Sequence, residues 1–97
     1  MRARRVDANH GEIVKAFRSY GFSVADTSGL GGGFPDCVIS RAKKTALVEI
    51  KDGKKPKSAR QLTEAEANFA LSWQGKYFVV LSIDGVEAIA KEWMRLC

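Results

Sequence analysis

The 97-residue chain lacks several features that define common classes of protein. Its two cysteines, Cys37 and Cys97, cannot make a disulfide framework, so a reducing compartment is expected, with Cys37 as a small buried hydrophobe. No apolar run of about 18 residues or more occurs, which argues against a transmembrane helix. The basic start of the chain is followed by no apolar stretch, so no secretory signal is expected. A cytoplasmic protein without a membrane partner is therefore predicted.

Two kinds of site are also missing their usual signals. His10 is the single histidine, so a histidine-based metal site or a Ser-His-Asp triad lacks partners. Residues 28–33 are rich in glycine but lack Gly-Lys-Ser/Thr, so they do not form a nucleotide-binding P-loop. Two interpretations of this segment stay open. It is either a flexible connection between strands or a place where Gly32 and Gly33 let the backbone approach a phosphate chain.

Positive charge is the first feature that the chain has in excess. The formal net charge is +5, and nucleic acid is the usual partner of a small basic domain. Residues 51–60 carry five cations and one anion, and residues 1–6 form a basic arm. The segment 51–60 is either a solvated loop or a clamp on DNA phosphates. The candidate DNA-binding side chains are Lys54, Lys55, Lys57, Arg60, Arg4 and Arg5.

Capping patterns and apolar periodicity predict one α/β domain spanning residues 1–97. Three helices are predicted to begin with a capping residue followed three positions later by glutamate: Asn9 with Glu12, Thr63 with Glu66, and Asp84 with Glu87. The strand candidates are Phe22–Ala25, Asp36–Ser40, Thr45–Lys51 and Tyr77–Ser82. The order αβββαβα, with a parallel pair formed by the last two strands, predicts a mixed four-stranded sheet flanked by helices. Trp73 and Trp93 lie on apolar helical stripes and are expected in the core.

Two acids and a lysine on the predicted hairpin form the candidate site. A four-residue loop, residues 41–44, would make opposed residue numbers sum to 85, which puts Asp36 directly across from Glu49. Alternation places Lys51 on the same face as Glu49. Opposed carboxylates have Cβ atoms about 5 Å apart and repel unless a cation such as Mg²⁺ lies between them. Such a site beside a lysine suits phosphodiester hydrolysis.

These residues also carry a family resemblance. Gly33-Phe34-Pro35-Asp36, Glu49-Ile50-Lys51-Asp52-Gly53 and Arg60-Gln61-Leu62-Thr63 resemble the VRR-NUC family of the PD-(D/E)xK nuclease superfamily. The resemblance implies a restriction-endonuclease-like core and Mg²⁺ or Mn²⁺ held by Asp36, Glu49 and the Ile50 backbone carbonyl, with Lys51 at the attacking water or the developing charge. It also implies an acid on the first helix, here Glu12. That residue is equally explained as a capping glutamate.

The sequence therefore predicts a metal-dependent DNA endonuclease. What the resemblance implies further is a phage-type or DNA-repair enzyme, similar to Holliday-junction resolvases, that acts as a homodimer on branched DNA. The alternatives are a non-catalytic nucleic-acid-binding module and a nuclease subunit that needs a larger partner. One departure from the family pattern is Glu66, which stands where the family often has glutamine and whose role the sequence leaves open.

Overall fold

The computed structural model describes residues 6–96. Within that range the chain forms three α-helices and four strands in the predicted order. The helices are α1 (His10–Ser19), α2 (Glu64–Ser72) and α3 (Ile83–Glu92), and the strands are β1 (Ser23–Asp26), β2 (Cys37–Arg41), β3 (Lys44–Ile50) and β4 (Lys76–Val80). Within residues 6–96, no helix has the length and apolar character needed to cross a bilayer. Arg4, Arg5 and Cys97 lie outside the described residues.

The strands of residues 6–96 form one mixed sheet of four strands in the order β1-β2-β3-β4. β1 pairs antiparallel with β2, and β2 pairs antiparallel with β3. The chain then passes through α2 and returns as β4, which pairs parallel with β3. The predicted α/β class and mixed sheet are confirmed. Because β3 lies between an antiparallel and a parallel neighbour, both of its edges are hydrogen-bonded. Its carboxyl end is therefore flanked by a strand on each side.

The β2–β3 hairpin has the predicted register but a shorter turn. Ser40 lies opposite Thr45 and Cys37 opposite Val48, so paired numbers sum to 85. The predicted four-residue loop is wrong, because the pairing continues to Arg41 and Lys44. The two residues between them, 42 and 43, have φ angles of 53° and 64°. Positive φ at both central positions matches the type I′ turn, whose twist suits a two-residue hairpin.

The apolar core lies on one face of this sheet. Ala46, Val48 and Ile50 alternate along β3 and belong to the core cluster, whereas Leu47 and Glu49 do not. α1 and α3 cover this face with the buried side chains Ile13, Phe17, Val86 and Ile89. Trp93, directly after α3, is fully buried as predicted, and its Nε1–H donates to the Arg41 carbonyl at 2.7 Å. The period-2 pattern therefore separates the core face from the face that carries the acids.

The predicted caps are correct at one helix and wrong at two. Thr63 and Glu66 form a complete capping box at the start of α2. Asn9 occupies the N-cap position of α1, but its amide does not cap the helix and instead donates to the carbonyls of Lys51 and Leu81, both at 3.2 Å. The prediction that Asp84 caps α3 is wrong, because α3 begins at Ile83, after Ser82. Asn9 thus joins α1 to the ends of β3 and β4.

α2 lies against the opposite face of the sheet and covers it incompletely. Its buried residue is Glu66. The Phe69 ring packs edge-on against Phe34 at 5.2 Å between centroids and contacts Tyr77 at 6.4 Å. The prediction that Trp73 is a core residue is wrong, because this side chain is 42% exposed and stacks on Phe69 at the helix end. The contacts of α2 with the second face are therefore made by a buried acid, Glu66, and by aromatic rings.

Candidate active site

The carboxylate of Asp36, the residue before β2, is held by the backbone of β3. The Ile50 N–H donates to Asp36 Oδ2 at 2.7 Å, just beyond the last ladder pair of Cys37 with Val48. The Asp36 carbonyl accepts a hydrogen bond from the Thr27 N–H at 2.9 Å. A backbone N–H to a carboxylate is a short, charge-assisted hydrogen bond. Both the main chain and the side chain of Asp36 are consequently fixed by neighbouring strands.

Glu49 lies on β3 and Lys51 directly after it, and both face away from the core. The ladder register, continued by one residue, puts Asp36 across from Glu49, as predicted. Lys51 follows β3, and its N–H donates to the Val80 carbonyl at 3.0 Å, so β4 keeps this residue aligned with the sheet. The Lys51 Nζ lies 3.7 Å from Glu49 Oε2. The structure thus brings the three predicted side chains together.

Glu66 of α2 completes this group. Its Oε1 accepts hydrogen bonds from Lys51 Nζ at 2.8 Å and from the Thr63 N–H at 2.9 Å. The exposed fractions are 4% for Asp36, 1% for Glu49, 8% for Lys51 and 5% for Glu66. Four ionisable side chains are therefore buried together where α2 meets the carboxyl end of β3. The sequence located Glu66 through its capping pattern but did not assign it to the site.

Burial and mutual repulsion set the charge state of the cluster. Burial, followed by the neighbouring carboxylates of Asp36 and Glu66, raises the pKa of Glu49 to about 9. Burial also opposes ionisation of Lys51, but the hydrogen bond to Glu66 and the charges of Glu66 and Glu49 outweigh it, so the pKa of Lys51 is raised. For Glu66, burial is outweighed by the hydrogen bonds from Lys51 and Thr63, and its pKa is lowered. Glu49 is the carboxyl that takes up a proton at neutral pH.

These side chains line a cavity of about 220 Å³. Asp7 and Lys55 line it too, and the Lys55 Nζ lies 3.1 Å from Asp7 Oδ1. Glu49 Oε1 is buried and has no hydrogen-bond partner among residues 6–96. Sequence reasoning missed Asp7, which precedes the first helix and has no periodic or capping signal. The cavity therefore holds four acids and two lysines, with one carboxylate oxygen left unpaired.

Glu12 is not brought to this cavity. It is exposed on α1 and lines a different cavity of about 460 Å³ with residues such as Asn9, Asp52 and Lys54. α1 turns Ile13 and its apolar stripe toward the sheet, which directs Glu12 away from the hairpin acids. Its predicted role as a metal ligand gains no geometric support, and Asp7 occupies the place on the amino-terminal side of the acidic cavity.

The basic segment after β3 surrounds both cavities. Asp52 Oδ1 accepts from the Lys54 N–H at 2.9 Å and folds the segment into a turn, which a 3₁₀ helix, Lys57–Arg60, follows. Lys55 lies at the smaller cavity, while Lys54 and Arg60 lie at the larger one. Lys57 is exposed. The predicted DNA-binding side chains of this segment are thus divided between the two cavities, and Lys57 lines neither of them.

The two glycines predicted to approach phosphate differ in their surroundings. Both have positive φ, +65° at Gly32 and +84° at Gly33. A Cβ at Gly33 would collide with the Ala65 carbonyl in the first turn of α2, so this glycine is required for packing. A Cβ at Gly32 would meet nothing within 4 Å. Gly32 therefore leaves open space beside the backbone, while the need for glycine at position 33 is explained by its contact with α2.

The chemistry of the donors suits a divalent metal of the Mg²⁺ type. Within residues 6–96, no group of three or more His, Cys, Asp or Glu side chains is arranged to hold a metal ion. Mg²⁺ is usually bound by one or two carboxylates, with water and substrate phosphate completing its shell. Asp36 and Glu49 supply two carboxylates, and the unpaired Glu49 Oε1 lies among like charges that a divalent cation would offset. The N–H and C=O of one strand residue point to the same edge, so the Ile50 carbonyl faces the side of Asp36.

Comparisons with known proteins add no relative to this description. No family model matches the chain, and searches of curated proteins and of solved structures found no match to it.

Proposed function

We propose that this protein is a metal-dependent DNA endonuclease with a restriction-endonuclease-like core, similar to the VRR-NUC nucleases. One observation carries the proposal. Asp36, Glu49 and Lys51, chosen from the sequence by type and spacing, lie around one cavity, buried as deeply as core residues. Burying this many charges is unfavourable for folding unless each is paired. Such an arrangement is typical of a site kept for its chemistry.

The side chains have distinct roles in the proposed reaction. Asp36, fixed by the Ile50 N–H, and Glu49, with its unpaired oxygen, would hold Mg²⁺ or Mn²⁺ together with the Ile50 carbonyl. The chemistry that the ion supplies when bound is polarisation of the scissile phosphate and a lower pKa for the attacking water. Lys51 stays protonated beside Glu66, so it acts as a fixed cation that stabilises negative charge developing on the phosphate.

DNA would approach across the basic segment. Lys55 borders the acidic cavity, and Lys54 and Arg60 border the larger cavity next to it, so a phosphate chain can contact both. Lysine contacts of this kind release counterions, which makes binding weaker as salt rises. Branched DNA as the substrate, and a homodimer that cuts two symmetry-related strands, are part of the proposal. They rest on the family resemblance.

Cleavage by purified protein tests the proposal. The substrates are a synthetic four-way junction and a linear duplex of the same sequence, incubated with Mg²⁺, Mn²⁺ or EDTA. We expect cleavage with either metal, none with EDTA, and a loss of more than about a thousandfold in Asp36→Asn and Glu49→Gln. Sedimentation of the free protein and of its junction complex tests the dimer.

One control variant and two alternative outcomes make the result decisive. Glu87→Gln removes an exposed acid of α3 that lines neither cavity, and it should cleave within about threefold of wild type. Cleavage that persists in EDTA or in Asp36→Asn would refute the metal mechanism. Salt-sensitive DNA binding without cleavage under any condition would instead identify a non-catalytic binding module or a subunit that needs a partner.

A further inference from the structure

One carboxylate oxygen of Glu66 accepts two hydrogen bonds, one from its own helix and one from Lys51. Glu66 Oε1 accepts from the Thr63 N–H, which closes the capping box of α2, and also from the buried ammonium of Lys51. The box is completed by the Glu66 N–H, which donates to Thr63 Oγ1 at 3.2 Å. The start of α2 and the end of β3 are therefore joined through a single carboxylate.

An ordinary capping glutamate would be placed differently. Capping boxes lie at helix ends, and their glutamate needs contact only with the backbone of its own first turn. Glu64, in the same turn of α2, is exposed. Glu66 is instead the buried residue of this helix and lies against the face of the sheet that carries Glu49 and Lys51. Helix capping alone gives no reason for that burial.

The capping box gives the Glu66 carboxylate a fixed position, which in turn restricts Lys51. A lysine side chain has several rotatable bonds and is flexible unless its ammonium is held. Here the Lys51 Nζ lies 2.8 Å from Glu66 Oε1 and 3.7 Å from Glu49 Oε2, so the ammonium stays within the cavity. A helix N-terminus, itself fixed by backbone hydrogen bonds, is a rigid base for such a contact.

We propose that Glu66 is a positioning residue, which holds the ammonium of Lys51 at the place where charge develops on the phosphate. The inference rests on the nuclease function proposed above. Glu66 makes no contact with substrate in this account and acts through Lys51. Its removal should therefore slow the chemical step and leave DNA binding unchanged.

Four variants separate positioning from helix stability. Glu66→Ala removes the acceptor of the hydrogen bonds from Lys51 and Thr63, and Glu66→Gln keeps an oxygen that can accept from them. Glu64→Ala removes an acid from the same helical turn without contact to Lys51. Thr63→Ala removes the hydroxyl that accepts from the Glu66 N–H but keeps the backbone N–H of residue 63, which donates to Glu66 Oε1 and holds the carboxylate. At saturating Mg²⁺ and well below the unfolding temperature, we expect kcat to fall about a hundredfold in Glu66→Ala, with KM for DNA within about twofold of wild type.

The three other variants complete the test. Glu66→Gln should recover kcat to within about tenfold of wild type, since it keeps the geometry but loses the charge assistance. Glu64→Ala and Thr63→Ala should cleave within about threefold of wild type, although Thr63→Ala lowers the unfolding temperature. A kcat in Glu66→Ala equal to that in Glu64→Ala, or a loss in Thr63→Ala as large as in Glu66→Ala, would overturn the inference.

A spectroscopic readout makes the outcome independent of cleavage. In ¹⁵N-labelled protein, the Lys51 ammonium should give an observable NMR cross-peak, because burial and its hydrogen bond slow proton exchange. The peak should persist in Glu64→Ala and vanish in Glu66→Ala. If the wild type cleaves no DNA, the proposed function falls, and this spectrum still decides whether Glu66 holds Lys51. An unchanged peak in Glu66→Ala would refute the contact.

Discussion

The two faces of the β2–β3 hairpin bury side chains of opposite chemistry. On one face, Cys37, Ile39, Val48 and Ile50 are at most 1% exposed and pack under α1 and α3. On the other, Glu49 is also 1% exposed but is surrounded by charges. Burial of the first face drives folding through the removal of apolar surface from water. Burial of the second face opposes folding unless its charges are paired.

This difference shows which residues serve the fold and which serve the site. An apolar core needs no specific partner beyond close packing, and it stabilises the protein in proportion to its buried area. The acidic face depends on particular hydrogen bonds, such as Ile50 N–H to Asp36 and Lys51 to Glu66. Replacing buried ionic groups by apolar groups of similar volume is often neutral or stabilising. The burial of these charges is therefore not explained by stability, which supports the proposed function.

The largest effect on stability is expected from the apolar face. Ile39→Ala removes a fully buried side chain from the core cluster and should lower the free energy of unfolding by about 2–5 kcal/mol. Urea denaturation followed by circular dichroism measures the loss. If the alanine variant does not fold, Ile39→Val should still show a loss of about 0.5–1.5 kcal/mol. A loss below about 0.3 kcal/mol in both would show that this face is not the core.

In metal-free buffer, the charged face is expected to lower the free energy of unfolding as pH rises. Burial and the neighbouring carboxylates raise the pKa of Glu49 from an ordinary value of 4.5 to about 9, so the folded state binds more protons than the unfolded state between these values. Stability should consequently be greatest near pH 4.5–5 and fall as pH rises toward 9, by at most about 1.4 kcal/mol per pH unit. The lowered pKa of Glu66 acts in the other direction, but only below its ordinary range.

Urea denaturation in EDTA across this pH range tests the expectation. Glu49→Gln should reduce the fall in the free energy of unfolding between pH 5 and 9, because an amide does not titrate. Glu87→Gln, the same change at an exposed position of α3, should leave it unaltered. A wild-type stability that is level or increases from pH 5 to 9 would contradict the account of Glu49.

The smallest effect is expected from the ion pair at the cavity mouth. Lys55 and Asp7 are 46% and 21% exposed as side chains, so water screens their attraction. Lys55→Ala should change the free energy of unfolding by less than about 0.5 kcal/mol. Its salt-dependent affinity for duplex DNA should fall, since the lysine is available to phosphates. A large loss of stability, or unchanged affinity and salt dependence, would show that Lys55 serves the fold instead.

The sequence alone predicts features that depend on neighbouring residues better than features that depend on residues far apart in the chain. The alternation of Leu47 to Lys51 was enough to separate core from acids, and the register sum of 85 followed from the hairpin. The short turn was not foreseeable, because Ala42 and Lys43 lack the Asn-Gly or Asp-Gly signal of a two-residue turn. Local patterns therefore predicted the strands better than the loop between them.

Interactions between distant segments account for the other differences. Asn9 matched the capping pattern, but its side-chain amide donates to the carbonyls of Lys51 and Leu81 instead of capping α1. Glu12 is exposed because α1 buries Ile13 against the sheet, and its distance from the hairpin acids depends on how the whole helix packs on the sheet. The predicted capping role of Glu66 is confirmed. Its contact with Lys51 was not predictable, because it forms only when α2 packs on the sheet.

Calorimetric titration of Mn²⁺ into the protein decides whether the charged face is a metal site. Performed near pH 7 in two buffers with different heats of ionisation, it should show saturable binding with release of about one proton, because Glu49 must lose its proton to bind the ion. Binding should be lost in Asp36→Asn and kept in Glu12→Gln. Absence of binding in the wild type, or equal binding in Asp36→Asn, would contradict the account.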